Sequence, residues 1–176
     1  MKSEIQAILI LFIFLLSGCA VKSTWTSNPV IQAKEVETYE LMLEPLKQGH
    51  DFFVAFKIMI KNKTNKELVI DWNKTQYIYA GKPDGVFVFL GIDPTMLKNK
   101  TVPADIIPPN GFLTKEIVPA KRVALAPLRE NLPAGKPGIS AGILPPGQNG
   151  VLLFVRRDGL EISQQITVQI IEEKLK

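Results

Sequence analysis

The segment from Phe52 to Lys61 constrains this chain more than any other. One face of it carries Phe52, Val54, Phe56, Ile58 and Ile60, and the other carries Phe53, Ala55, Lys57, Met59 and Lys61. A period of two places alternate side chains on opposite faces of a strand, and here one face is strongly apolar. Asn62 to Lys66 is polar and reads as a turn. The chain then alternates again, with Leu68, Ile70 and Trp72 on one side and Glu67, Val69 and Asp71 on the other. Residues 52–72 are therefore predicted to form a β-hairpin with an aromatic and branched aliphatic inner face.

The same period recurs along the chain. Residues 36–43 place Val36, Tyr39, Leu41 and Leu43 at apolar positions. Short strands are expected at 76–80 and 86–90, with Gly81-Lys82-Pro83-Asp84-Gly85 as the turn between them. Phe112–Val118 is a further strand. Val151–Arg156 and Leu160–Ile171 alternate around Arg157-Asp158-Gly159, and Gln164 interrupts the apolar face of the second. No segment after residue 34 has a helical period of useful length, and prolines spread over 83–146 oppose long helices. Seven to eight short strands with Pro/Gly turns predict an all-β, antiparallel sandwich over residues 35–176. Its expected core includes Val54, Phe56, Ile58, Ile70, Trp72, Val168 and Ile170. Residues 91–111 and 119–149 are left as long Pro/Gly/Lys-rich loops, with short strands expected at 122–125 and 139–144. Loops of that length in a compact domain are often functional.

The first residues obey a different rule. Ile5 to Leu16 is an apolar run of about a dozen residues behind Lys2, shorter than the ~20 needed to span a bilayer. It ends in Leu16-Ser17-Gly18-Cys19, which resembles the lipobox of bacterial lipoprotein signal peptides: a branched apolar residue, two small residues and a cysteine. The resemblance implies a cleaved signal peptide over 1–18, a diacylglyceryl thioether on Cys19 and often a third acyl chain on the new amine. Two or three such chains hold a protein on its membrane durably, whereas a single chain binds only marginally. Ala20 rather than Asp follows the cysteine, which by the same resemblance favours the outer membrane over the inner. Cys19 is the single cysteine, so the body must be stabilised by packing rather than by disulfides. Residues 19–34 read as a lipidated N-terminus and flexible tether, spanning about 20 Å. Within it, Trp25 either sits among headgroups or packs on the domain.

The pattern F-x-V-x-F-x-I-x-I-x-N-x-T-N-K-x-L-x-I-D-W over 52–72 resembles the opening of immunoglobulin-like domains in bacterial envelope lipoproteins. G-I-L-P-P-G-Q-N-G-V-L-L-F-V-R over 142–156 is similar to a later segment of theirs. The resemblance implies an immunoglobulin-like sandwich and carries over no catalytic residue. Independently, Asn62 is suited to close its turn through its amide, Trp72 and Phe154 to fill core volume, and Pro146-Gly147 to form a type II turn.

Chemistry is sparse. The net charge is +4 with the basic residues scattered, Lys121-Arg122 and Arg156-Arg157 being the densest pairs. A nucleic-acid binder concentrates such residues on one face, so no nucleic-acid partner is expected. His50 is the only histidine and lies beside Asp51 in a turn, away from any nucleophile motif. Structural zinc requires three or four ligands, and the spacing of Asp84, Asp93 and Asp105 matches no calcium loop. No cofactor, metal or catalytic residue is predicted. Asn-x-Thr sequons occur at Asn62, Asn73 and Asn99, and Asp71 gives Asn73 the acidic residue some bacterial glycosylation systems use. Tyr77, Tyr79 and Phe87 form either an exposed aromatic strip or part of the core. The expected function is a non-enzymatic binding or assembly-accessory module in the bacterial cell envelope. It would be held to membrane lipid through Cys19 and bind another envelope protein; the alternative partner is a cell-wall or surface glycan. Docking is placed in 119–149, with Lys121, Arg122 and Arg129 as charged contacts and Leu125, Leu128 and Leu132 between them. The competing reading folds that loop over the protein's own sheet edge.

Overall fold

The structure, a computed structural model, describes residues 23–49, 51–89, 102–125 and 139–174. The signal-like segment, Cys19, His50, Asp93, Asn99, Leu128, Arg129 and Leu132 lie outside the described residues. The described chain is all-β and every strand pairing in it is antiparallel, with thirteen strands in place of the seven to eight expected, because short strands form in segments read as tether and loop. The strands are β1 (Ser23–Asn28), β2 (Gln32–Glu35), β3 (Tyr39–Gln48), β4 (Phe52–Asn62), β5 (Leu68–Ile70), β6 (Gln76–Tyr79), β7 (Lys82–Phe89), β8 (Asp105–Ile107), β9 (Phe112–Pro119), β10 (Val123–Leu125), β11 (Ile139–Ala141), β12 (Gly147–Arg157) and β13 (Leu160–Lys174). A single 3₁₀ turn, Ala120–Arg122, precedes β10.

One hydrogen-bonded ladder runs β1-β13-β12-β6-β7-β9-β4-β3-β2, with β5 and β8 added beside β12 and the ribbon β10-β11 separate. Two features curl this ladder on itself. Strand β7 pairs with β6 through Lys82 to Val86 and then with β9 through Phe87 to Phe89, so it passes from one half to the other. At the ladder's two ends, β1 and β2 are joined by only Pro29, Val30 and Ile31. The seam is bridged again where Lys34 Nζ donates to the Gln165 carbonyl at 3.4 Å.

The curl encloses one core. Leu41, Leu43, Phe56, Ile58 and Ile60 from β3 and β4 meet Leu68, Ile70, Tyr77, Val151, Leu153, Val155, Ile166, Val168 and Ile170 from the other half. Phe56 lies at its centre, 6.4 Å from the rings of both Tyr77 and Phe87. All seven residues predicted for the core are buried. Phe154 is not among them; it is half-buried and faces away with Leu152.

Three sequence expectations are corrected. Residues 52–72 are not a hairpin: β4 pairs with β3 and β9, whereas β5 pairs with β12 and β8. Both strands turn an apolar face inward, so the chain between them crosses from one half to the other. Asn62 organises that crossing. It is fully buried, its amide nitrogen donates to the carbonyls of Lys66, Ile107 and Pro108, and its Oδ1 accepts from the amide and hydroxyl of Thr64. Second, most of the expected tether is sheet. Strand β1 pairs with β13 from Ser23↔Lys174 to Asn28↔Gln169, β2 pairs with β3, and Trp25 is buried in the core. Third, the β6–β7 turn is not the five-residue spacer but Ala80-Gly81, with φ of 49° and 76°. Asp158-Gly159 repeats this geometry between β12 and β13, with φ of 52° and 77°. Positive φ at both central residues gives the type I′ turn that suits the natural twist of a hairpin.

A bulge adjusts β4. Its register with β3 shifts between Leu46 and Lys47, so Lys47 faces Phe53 while Leu46 faces Ala55. Phe53 thereby joins the main core, and Val54 and Ala55 join a second small cluster with Val88 and Val118. The simple alternation expected over 52–61 holds only from Phe56 onward.

The register also defines two ends of the body. Near Ser23 and Lys174 lie the β3–β4 turn, the Ala80-Gly81 turn and the 3₁₀ turn. Leu144 donates to the Phe53 carbonyl there, and Ala80 to that of Gln148. At the other end lie Asn62–Lys66, Asn110 and Asp158-Gly159.

Candidate docking site at the base of the β10-β11 ribbon

Pro119 ends β9, and the 3₁₀ turn redirects the chain into β10, which pairs with β11 from Val123↔Ala141 to Leu125↔Ile139. The ribbon is fastened at its base. Gly142 donates to the Arg122 carbonyl at 2.6 Å, and a Cβ at residue 142 would lie 2.5 Å from that same oxygen. Glycine is therefore required for the close approach of the two backbones. Leu144 is fully buried, and Val123 and Ala141 pack on the second cluster under the ribbon.

Two of the three charged residues predicted to dock a partner, Lys121 and Arg122, are held against this base. Lys121 Nζ pairs with Asp84 Oδ1 at 2.8 Å, and Arg122 Nη2 lies 3.7 Å from Asp84 Oδ2. The Arg122 guanidinium sits 5.7 Å from the ring centres of both Tyr77 and Tyr79, within cation–π range. Arg122 Nε is buried and finds no partner among the described residues. Below it, the Tyr77 hydroxyl donates to Asn149 Oδ1, and Asn149 Nδ2 donates to the carbonyls of Pro145 and Gly147 at 2.9 Å each. Burial pushes the Tyr77 hydroxyl up to about 12, with the neighbouring Arg122 acting in the opposite direction. Gly147, at φ 116°, supplies the positive-φ position expected of Pro146-Gly147.

The structure thus brings Lys121 and Arg122 together on one carboxylate, Asp84, which lies in β7 rather than in the expected turn. No local signal connects Asp84 to residues 37 and 38 positions away. Tyr77 and Phe87 are fully buried and Tyr79 is half-buried against the core, so these aromatics belong to the interior and form no exposed strip.

Other residues singled out by sequence have structural partners. Asn73 exchanges two 2.9 Å hydrogen bonds with the backbone of Val102. Asp105 accepts from Trp72 Nε1 at 2.6 Å and pairs with Lys115, whose ammonium lies 4.0 Å from the centre of the Phe89 ring. Among the described residues, no group of three or more His, Cys, Asp and Glu side chains converges.

A concavity of about 370 Å³ lies on the outer face of β3, β4 and β9, lined by Met42, Met59, Leu113 and Thr114 and rimmed by Glu40, Lys61 and Phe112. Phe112 is 78% exposed. Sequence reading missed this groove, although Met59 stood out as the apolar residue between Lys57 and Lys61.

No protein-family model, curated protein or solved structure matches the chain.

Proposed function

We propose that this chain is a lipid-anchored protein of the bacterial cell envelope. Its body, an immunoglobulin-like β-sandwich in this reading, acts as a non-enzymatic binding or assembly-accessory module. The observation that carries the reading is the sequence Leu16-Ser17-Gly18-Cys19 behind an apolar run, four residues before the first strand at Ser23. Acylated Cys19 provides the membrane attachment, and the rigid sheet presents the ribbon. A ribbon whose base is bolted by Lys121, Arg122 and Asp84 is a preorganised element, and preorganisation lowers the entropic penalty of binding. In this reading Lys121 and Arg122 set the ribbon's orientation, and the partner is another envelope protein. The glycan alternative has lost its aromatic support, since Tyr77 and Phe87 are interior.

The decisive experiment begins with membrane flotation of the wild type and of Cys19→Ser, with mass spectrometry of the mature N-terminus. The variant should remain an unprocessed precursor or leave the membrane fraction. An unmodified N-terminus at another residue refutes the anchor. Crosslinking on membranes should then capture one stoichiometric protein partner through the ribbon.

A further inference from the structure

We infer that the end of the body carrying the β3–β4 and β6–β7 turns rests against the bilayer surface, with lipid headgroups as its contact. This rests on the lipid-anchor reading above and adds an orientation to it. Only residues 20–22 separate Cys19 from Ser23. Four residue steps reach at most about 14 Å. Ser23 is not free to wander beyond that reach, because β1 is paired to β13 from its first residue, Ser23↔Lys174. Trp25, two residues on, is buried in the core and fixes the strand further.

The opposite end is too distant for the same attachment. Strand β13 runs 15 residues from Leu160 to Lys174. At the rise of an extended chain its two ends are about 45 Å apart. An acyl group on Cys19 therefore places one end of the body in the headgroup zone and leaves the other far from it, unless the body lies flat.

Charge supplies contacts for headgroups at the near end. Both ends carry paired cations: Lys63 with Glu35, Lys66 with Asp158 and Lys74 with Glu161 at the far end, and Lys121 with Asp84 at the near end. At the near end, exposed Lys47 and Lys82 have no carboxylate partner among the described residues, and Lys47 instead lies 5.3 Å from the Phe53 ring centre. Exposed Glu172 and Glu173 share that end, so its pull on anionic lipid is modest. Unpaired ammonium groups nonetheless favour phosphate headgroups at a bilayer surface. Tether length sets which end is near, and Lys47 and Lys82 supply headgroup contacts there.

The single cysteine makes the test clean, because a lipidated Cys19 leaves no thiol to compete with an introduced one. Gln48→Cys at the near end and Asn65→Cys at the far end are both exposed and outside the core. Each full-length, acylated protein is labelled with a thiol-reactive fluorophore. It is then reconstituted into phosphatidylethanolamine–phosphatidylglycerol vesicles containing headgroup-nitroxide lipid. Quenching at residue 48 should exceed that at residue 65 several-fold. Equal quenching, as in a flat pose, or stronger quenching at residue 65 overturns the orientation while leaving the anchor intact. Failure of the wild type to float with the vesicles overturns the anchor and the orientation together. Thermal melts of both labelled variants, matching the wild type, guard against misfolding.

Discussion

At the scale of single residues, burial of polar groups makes the sharpest claims. Asn62 spends its whole amide on five partners at a fully buried position. Asn62→Ala would strand the buried Ile107 carbonyl, worth about 1–3 kcal/mol when unsatisfied, and the partly buried carbonyls of Lys66 and Pro108. Chemical denaturation should show a loss of at least about 2 kcal/mol, and a loss below the error of the fit would mean that the crossing is held by something else. Phe56→Ala, at the centre of the aromatic cluster, should cost about 3–5 kcal/mol. The tyrosines supply a pH test. Burial pushes the hydroxyls of Tyr39 and Tyr77 up to about 12 from 10. The folded state therefore keeps protons that the unfolded state has begun to release, and stability falls as pH rises from 10 through about 12. Ultraviolet titration should show tyrosinate forming in step with base unfolding, and two tyrosines ionising near 10 in an intact fold would contradict their burial. Arg122 also changes standing at this scale. As a surface charge its loss would hardly register, but it is half-buried over two tyrosine rings, so Arg122→Ser should destabilise more than Lys121→Ser in paired melts.

At the scale of elements, the two type I′ turns are instructive. Ala80 adopts φ 49°, a left-handed conformation that costs an L-residue with a Cβ roughly 1–2 kcal/mol and that asparagine tolerates better. Ala80→Asn should therefore stabilise the β6–β7 hairpin by about 0.5–1 kcal/mol, raising Tm by a few degrees. A lower Tm would show that the Ala80 methyl makes a contact outweighing its backbone strain. Strand existence was legible because alternation is a local property. Val151 to Arg157 and Leu160 to Ile171 could be read directly, and so could the positions of most buried residues. Partner choice was less legible. Strands β4 and β5 look like the arms of a hairpin because each alternates and a polar turn joins them. Whether such arms pair or cross between the two halves of the curled sheet depends on what else competes for their edges, and β9, β12 and β8 are supplied from up to about ninety residues away. The β1 segment was missed for a related reason. Ser23-Thr24-Trp25-Thr26-Ser27-Asn28 has one apolar side chain, so its apolar pattern is too thin to register, yet β-favouring threonines and the backbone pairing with β13 suffice to hold it. Of the candidate site, Lys121 and Arg122 were named from charge alone; Asp84, the residue that binds them, carried no sequence signal because the contact is made by the fold.

At the scale of the whole molecule, the N-terminal segment is part of the body. If residues 23–35 were a tether, a chain beginning at Val36 would fold normally. The sheet instead predicts that this truncation uncovers the edges of β13 and β3 together and removes Trp25 from the core, so that it should aggregate or melt far below a chain beginning at Ser23. Circular dichroism and light scattering on the two truncations decide it, and equal cooperative melts would restore the tether.

The pairing of Ser23 with Lys174 also governs timing. Chains emerge from the ribosome N-terminus first, so β1 exists long before the strand it must join. Until residue 174 is available, β1 has no ladder to enter, and β2, three residues further on, is held to β3 alone. Contacts this remote in sequence must close a very long loop before they yield any stabilisation, which places such folds among the slow ones. The described sheet therefore closes only once its thirteenth strand has been made, and until then β1 waits as an unpaired strand.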